Sequence, residues 1–215
     1  MFDDRVEAGQ QLARALEGFR ASNPLVLALP RGGVVVGAEI ARQLGCQLDV
    51  LFVKKLRAPD NPELAFGAIG EDGHAFVNWE IAQAVEADQS YIDSETTERR
   101  EEIEQQSRAY RQVRPRVPTS GRTVILVDDG LATGATMIAA VQTVSLAGPQ
   151  KIAVAVPVGS PEAVEALRSM PKVADVVCLS MPEWFGGVGQ FYLDFTQVSD
   201  EEVLDILQAF RGPTD

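Results

Sequence analysis

The chain has 215 residues, 46% of them hydrophobic and 23% charged, with a formal net charge of −12. That composition is globular rather than disordered, collagen-like or fibrous. At this length a single domain buries about 70% of its unfolded surface without metal or disulfide staples. The acidic balance works against general binding to nucleic acid or to anionic membranes.

In chain order, Phe2, Val6, Leu12, Leu16 and Phe19 recur at near-helical spacing, and Ser22-Asn23-Pro24 breaks the pattern. The start carries no apolar signal core and no apolar run reaches the roughly 18 residues of a membrane span, so a cytoplasmic protein is expected. Leu25 to Leu29 has the length of a buried parallel strand, followed by a sharp turn at Pro30-Arg31-Gly32-Gly33 and a helix from about Val35 to Leu44. Leu48 to Val53 reads as a second strand ending at Lys54-Lys55. Leu56 to Pro62, with two prolines, reads as a mobile loop, and strand-like pieces follow at 65–69 and 75–77. His74, the single histidine, sits beside Gly73 as a turn residue. Residues 79–112 form a charged helical insertion whose acidic run, 95–104, reads as a solvated face.

Further strands are expected at Val124–Val127, Ile152–Val156 and Val173–Leu179, and helices at Met137–Leu146, Pro161–Met170 and Glu201–Phe210. Alternating strands and helices predict an α/β fold, a doubly wound, mostly parallel sheet flanked by helices, in a single domain over 1–215. Cys46 and Cys178 lack metal-ligand spacing and are expected as free thiols, with one disulfide left open.

Ligands of open parallel sheets bind beyond the strands' carboxyl ends. Three such ends carry chemistry here. Four apolar residues, Val124 to Val127, lead to Asp128-Asp129, and ionised carboxylates accept hydrogen bonds from sugar hydroxyls or a hydrated cation. Next comes Ala132-Thr133-Gly134-Ala135-Thr136 at a helix start, where backbone N–H groups and two hydroxyls suit an anion. A carboxylate pair followed by an anion cradle describes a sugar phosphate. A helix cap after a structural turn accounts for the threonines, but not for two mutually repelling acids beside a glycine-rich turn. Arg31-Gly32-Gly33 offers close backbone approach and a guanidinium fork. Along a strand Lys54 and Lys55 point to opposite sides, so one of them faces the site, and the sequence leaves open which. There is no Walker A loop and no intact Gly-x-Gly-x-x-Gly fingerprint.

Together these segments resemble the type I phosphoribosyltransferases, with Val124 to Thr136 similar to that family's signature for 5-phosphoribosyl 1-pyrophosphate (PRPP). Asp4-Arg5, Ala28 to Gly33 and Asn61-Pro62-Glu63-Leu64 extend the resemblance to a bacterial subgroup. The resemblance implies that Asp128 and Asp129 hold the ribose hydroxyls and Ala132, Thr133, Gly134, Ala135 and Thr136 wrap the 5-phosphate. It implies further that Arg31, Gly32 and Gly33 form the pyrophosphate loop and that Lys54 or Lys55 reaches the pyrophosphate. Residues 56–70 would include a flexible loop closing over the site, and 181–195 a small hood subdomain whose Trp184 and Phe185 could stack on a base. Asp129, Lys54 and Lys55 are the candidate catalytic residues. A homodimer is implied, as is Mg2+ carried by PRPP oxygens and water, with no dedicated protein metal site.

Ala132 stands where 6-oxopurine enzymes of the family have a base-binding aspartate. Asp128-Asp129 differs from the Asp-Pro of uracil enzymes, and the Lys-x-x-Lys-x-His pattern of orotate enzymes is missing. The expected activity is transfer of 5-phosphoribose from PRPP to a nucleobase or another nitrogen nucleophile. The rival is a PRPP-binding regulator on the same fold, and a regulator of nucleic acid would be expected to carry a basic face that this chain lacks.

Overall fold

The computed structural model describes residues 1–210, apart from the side chains of Pro62 and Glu63. Those two side chains of the Asn61–Leu64 motif, and residues 211–215 of the expected domain, lie outside the described residues. Helix α1 (Arg5–Ala15) starts at Asp4, whose carboxylate accepts the Glu7 N–H at 2.8 Å. Phe2, which the spacing assigns to this helix, instead lies ahead of it and pairs with Tyr192 as an isolated bridge.

Strand β1 (Leu25–Ala28) is wholly buried, as its four apolar residues require. Its alternation divides the core. Val26 and Ala28 face one side with α2 (Gly32–Leu44), while Leu25 and Leu27 face the other. Helix α2 starts three residues earlier than expected, so Gly32 and Gly33 belong to its first turn rather than to a loop. It leads to β2 (Gln47–Val50).

The chain then leaves the parallel sheet. Strands β3 (Val53–Ala58), β4 (Asn61–Gly70) and β5 (Ala75–Val77) form a separate antiparallel sheet, with His74 in the β4–β5 turn. This corrects the expectation of a mobile loop over Leu56–Pro62: the segment is a β-hairpin. Its Leu56 and Ala58 are buried, the Arg57 N–H donates to Glu95 at 3.1 Å, and the Tyr91 hydroxyl donates to the Arg57 carbonyl at 3.0 Å. Both partners come from α4 (Gln89–Val113), which follows the short α3 (Trp79–Ala84). Helix α4 is also more than a solvated face. It buries Ile92, Glu95, Arg99, Ile103, Ser107 and Tyr110 along one stripe, with Arg99 bound by Glu95, Glu98 and Glu102.

The remainder is β6 (Thr123–Val127), α5 (Ala135–Leu146), β7 (Lys151–Val158), α6 (Pro161–Arg168), β8 (Val173–Ser180) and α7 (Asp200–Ala209). The five-stranded sheet has the order β2-β1-β6-β7-β8 with every pairing parallel. Residues from α1, α2, α4 and α7 join the core on one face, and residues from α5 and α6 on the other. Cys46 and Cys178 are free, and burial pushes the Cys46 thiol up to about 11. Among the described residues no helix is long and apolar enough to cross a membrane.

One buried ionic network fastens the two sheets. Asp49 of β2 is fully buried and accepts from Arg111 Nη1 at 2.7 Å and from the Val50 and Val117 N–H groups at 2.8 Å. Arg111 also grips Glu71, after β4, at 2.5 and 2.6 Å. Truncating one partner of such a pair leaves a buried charge uncompensated, at a cost of about 3–5 kcal/mol. Arg111→Met is therefore expected to lower stability by about 3 kcal/mol, the two backbone donors retaining part of Asp49's stabilisation. Urea unfolding measures it, and a loss below about 1 kcal/mol would contradict the role assigned to the network.

Candidate functional site

The order of the parallel sheet reverses between β1 and β6: the chain runs outward from β1 to β2 on one side and from β6 to β8 on the other. Such a switch opens a crevice at the strands' carboxyl ends. Here Ala28 lies opposite Val127, and the Leu29 N–H donates to the Val127 carbonyl at 2.8 Å. Pro30–Gly33 and Asp128–Thr136 therefore leave the sheet side by side.

Their contact is tight. A Cβ on Gly32 would lie 1.9 Å from Asp129 Oδ2, and one on Gly33 would lie 2.9 Å from the Asp128 Cα and the Val127 carbonyl. The glycines are needed because the two turns press against each other. Asp128 Oδ1 accepts the Asp129 N–H at 2.8 Å. Burial, together with the charge of Asp129 beside it, raises the Asp128 carboxyl well above the usual carboxylate range. Asp129 Oδ2 accepts Arg5 Nε at 2.8 Å, and the Asp129 carbonyl accepts the Tyr192 hydroxyl at 2.6 Å.

Beyond the acids, the loop is pinned to the next strand by the Leu131 N–H donating to Val158 at 2.9 Å and by the Ser160 hydroxyl donating to the Ala132 carbonyl at 2.7 Å. Gly134, at φ +72°, turns the chain into α5 without a side-chain cap. The first-turn N–H groups of a helix lack intrahelical partners, so this end presents donors and a partial positive charge beside the exposed Thr133 and Thr136.

On one side of this loop lies a cavity of about 360 Å³ lined by Arg31, Lys54, Tyr110, Thr136 and Asp200. Alternation along β3 sends Lys54 into it, while Lys55 lines a second cleft with Phe66, Phe76 and Ala139 that also reaches Ala135 at the start of α5. Both cations in the first cavity meet carboxylates. Lys54 Nζ is 3.2 Å from Glu102 Oε2, and Arg31 Nη1 is 3.8 Å from Asp200 Oδ1, which also accepts the Tyr110 hydroxyl at 2.5 Å. On the other side, Ala132 and Thr133 share a cavity of about 570 Å³ with Ser160, Glu162, Trp184 and Phe185. Trp184 is 89% exposed, an indole face without cover, whereas Phe185 packs on Phe191 at 5.3 Å between centroids.

Apart from Lys55, the residues singled out in the sequence thus gather around one crevice and its two flanking cavities. Sequence reasoning gave no role to Arg5, Tyr192, Glu102, Tyr110 or Asp200. Arg5 stood in a quoted motif, and Glu102 lay inside the run read as solvated; the others carry no local signal. As for a magnesium ion, Asp128 and Asp129 are the hard oxygen donors at the crevice, each with one oxygen already engaged. This donor set suits an ion held chiefly by substrate oxygens and water. Asp128 and Asp129 are the chain's residues that would lie nearest to it.

Comparison with known proteins identifies the family. A model of the phosphoribosyl transferase domain matches residues 6–196, and the chain belongs to that family. It is 46% identical over 209 residues to Rv0571c of Mycobacterium tuberculosis H37Rv, whose name provisionally calls it a phosphoribosyl transferase. The match covers 96% of this chain but 46% of that protein, so the chain spans less than half the length of this relative. The crystal structure of TT1426 from Thermus thermophilus superposes with a TM-score of 0.92 at 48% identity, covering 99% of this chain and 100% of that one. A hypothetical protein from Neisseria gonorrhoeae, crystallised with ppGpp, shares the fold alone, with a TM-score of 0.52 at 12% identity over 98% and 95% of the two chains.

Two outcomes follow from the crowding and the burial. Gly32→Ala must push Asp129 aside and is expected to cost about 1–3 kcal/mol in urea unfolding. Gly18→Ala, with no atom within 4 Å, is the control and should cost far less. Asp128 binds its proton more tightly folded than unfolded, so its contribution to stability is full below the ordinary carboxylate pKa of about 4 and is lost as pH rises through the raised value. Asp128→Asn is therefore expected to be more stable than the native chain at pH 7, by a margin that shrinks toward pH 4. A margin independent of pH would contradict the assignment.

Proposed function

We propose that the chain transfers 5-phosphoribose from PRPP to a nitrogen nucleophile, releasing pyrophosphate. The observation that carries this reading is the convergence of three features at the β1/β6 switch: two carboxylates, an uncapped helix N-terminus beside them, and the adjoining Arg31–Lys54 cavity, which Thr136 of that helix also lines. A sugar between two anions is the ligand that arrangement suits.

In this reading the α5 N-terminus, Thr133 and Thr136 hold the 5-phosphate, and Asp128 and Asp129 receive the ribose hydroxyls. Arg31 and Lys54 face the pyrophosphate, and Lys55 has no part. As the C1–O bond breaks, its electron pair moves to the departing pyrophosphate, the acceptor's nitrogen lone pair forms the new bond to C1, and the proton that nitrogen carried passes to solvent. Arg31, Lys54 and the α2 N-terminus stabilise the charge that develops on the leaving group, where each charge-assisted hydrogen bond contributes about 1.5–3 kcal/mol. Magnesium, when bound, would supply further neutralisation of that group. Trp184 offers a face on which a planar acceptor stacks.

The test is pyrophosphate release from Mg-PRPP with a panel of purines, pyrimidines and amines. Release that requires one acceptor, is abolished by Asp128→Asn/Asp129→Asn, and falls at least about tenfold in Lys54→Met but little in Lys55→Met is the expected outcome. Mg-PRPP binding without release across the panel would favour a binding protein over a transferase.

A further inference from the structure

Arg5 belongs to α1, far in sequence from the acids, yet it makes the most enclosed ion pair at the site. Its Nε donates to Asp129 Oδ2 at 2.8 Å, and the two side chains are 10% and 16% exposed. The rest of the guanidinium is fixed as well. Nη1 donates to the Thr196 carbonyl at 2.9 Å, and the group lies 3.9 Å from the centroid of the Phe195 ring.

Thr196 and Phe195 follow the segment that the N-terminus grips by backbone hydrogen bonds. The Phe2 N–H donates to Phe191 at 2.8 Å, the Leu193 N–H to Phe2 at 2.9 Å and the Asp194 N–H to Asp3 at 2.9 Å. The same segment supplies Tyr192, whose hydroxyl holds the Asp129 carbonyl. From the opposite side the first turn of α2 closes on the pair, since a Cβ on Gly32 would strike Asp129 Oδ2 and lie 2.8 Å from Arg5 Nε. Oδ2 is thus enclosed by Arg5 and Gly32, and Oδ1 is the oxygen left for a ligand.

From this geometry we infer that Arg5 is a positioning residue for sugar recognition: it fixes the Asp129 carboxylate in one orientation and ties it to the 191–196 segment. This inference rests on the reading of Asp129 as a ribose ligand. Arg5 acts chiefly through Asp129, so its influence falls more on the sugar half of PRPP than on the pyrophosphate half, which faces Arg31, Lys54 and the first turn of α2. A lysine at position 5 keeps the charge but loses the fork that spans Asp129 and Thr196 at once.

Calorimetric titration with Mg-PRPP, ribose 5-phosphate and magnesium pyrophosphate separates the two halves. Arg5→Met is expected to weaken ribose 5-phosphate and Mg-PRPP at least about tenfold, while pyrophosphate affinity stays within about twofold. Arg5→Lys should recover part of the loss. Adding Arg5→Met to Asp129→Asn should produce no further loss, because the two residues act as one unit.

Unchanged sugar binding in Arg5→Met would overturn the inference, as would additive losses in the double variant or a parallel loss of pyrophosphate binding. If Arg5→Met does not fold, Arg5→Lys and the double variant, which leaves no unpaired acid, decide the question by the same readouts. Failure of the unaltered protein to bind Mg-PRPP would overturn the parent reading together with this one. Native-like binding retained by the Arg5 variants overturns this one alone.

Discussion

The pairing of β1 with β6 is the constraint on which the rest depends. The two strands are remote in sequence, separated by a helix, a second sheet and the long α4. Only their hydrogen-bonded register brings the Arg-Gly-Gly turn against the acid pair. That register is enforced by burial. Apart from Thr123 at the start of β6, each strand is a continuous apolar run with side chains committed to two different cores, and a slip of one residue would exchange them. The geometry of the crevice inherits its accuracy from packing that has no chemistry of its own.

Charge is distributed around the crevice with a gradient of commitment. The Arg31–Asp200 pair is 39% and 65% exposed and long, and Lys54–Glu102 is 25% and 35% exposed. Solvent screening makes pairs of this kind worth about 1 kcal/mol or less, so an incoming anion can displace the carboxylates at little cost. The Arg5–Asp129 pair is far more enclosed, and its desolvation has already been met during folding. The cations facing the cavity of about 360 Å³ are therefore exchangeable, while the Asp129 carboxylate is held. An acidic chain can host an anion site in this way without a basic surface.

The fold class was legible because buried parallel strands are short, apolar and bounded by turn residues. The acid pair and the anion cradle were legible because they follow such a strand directly. The hairpin was not. Val53 to Ala58 mixes three cations with apolar residues, and its strand character comes from Leu56 and Ala58 packing beneath α4, which no local pattern reports. Whether Lys54 or Lys55 faces the crevice was undecidable until the register with β4 set which side of β3 each occupies. Glu102, Tyr110 and Asp200 reach the cavity from two helices, so their relevance is a property of tertiary packing alone.

Helix α4 shows how a composition-based reading fails in physical terms. Its charge run exposes half of its residues, as a solvated helix face would, yet Ile92, Glu95, Arg99, Ile103 and Tyr110 recur at intervals of three, four or seven residues. That stripe does two things at once. Near its start Glu95 and Tyr91 hold the hairpin by its backbone, and further along Glu102 pairs with Lys54 while Gln106 and Tyr110 border the cavity into which the hairpin delivers that lysine. Arg99, bound by three glutamates, lets the stripe carry charge inward without leaving an isolated buried ion. One helix thereby sets both where the lysine stands and which acid it is paired with, coupling the position of the hairpin to the electrostatics of the cavity.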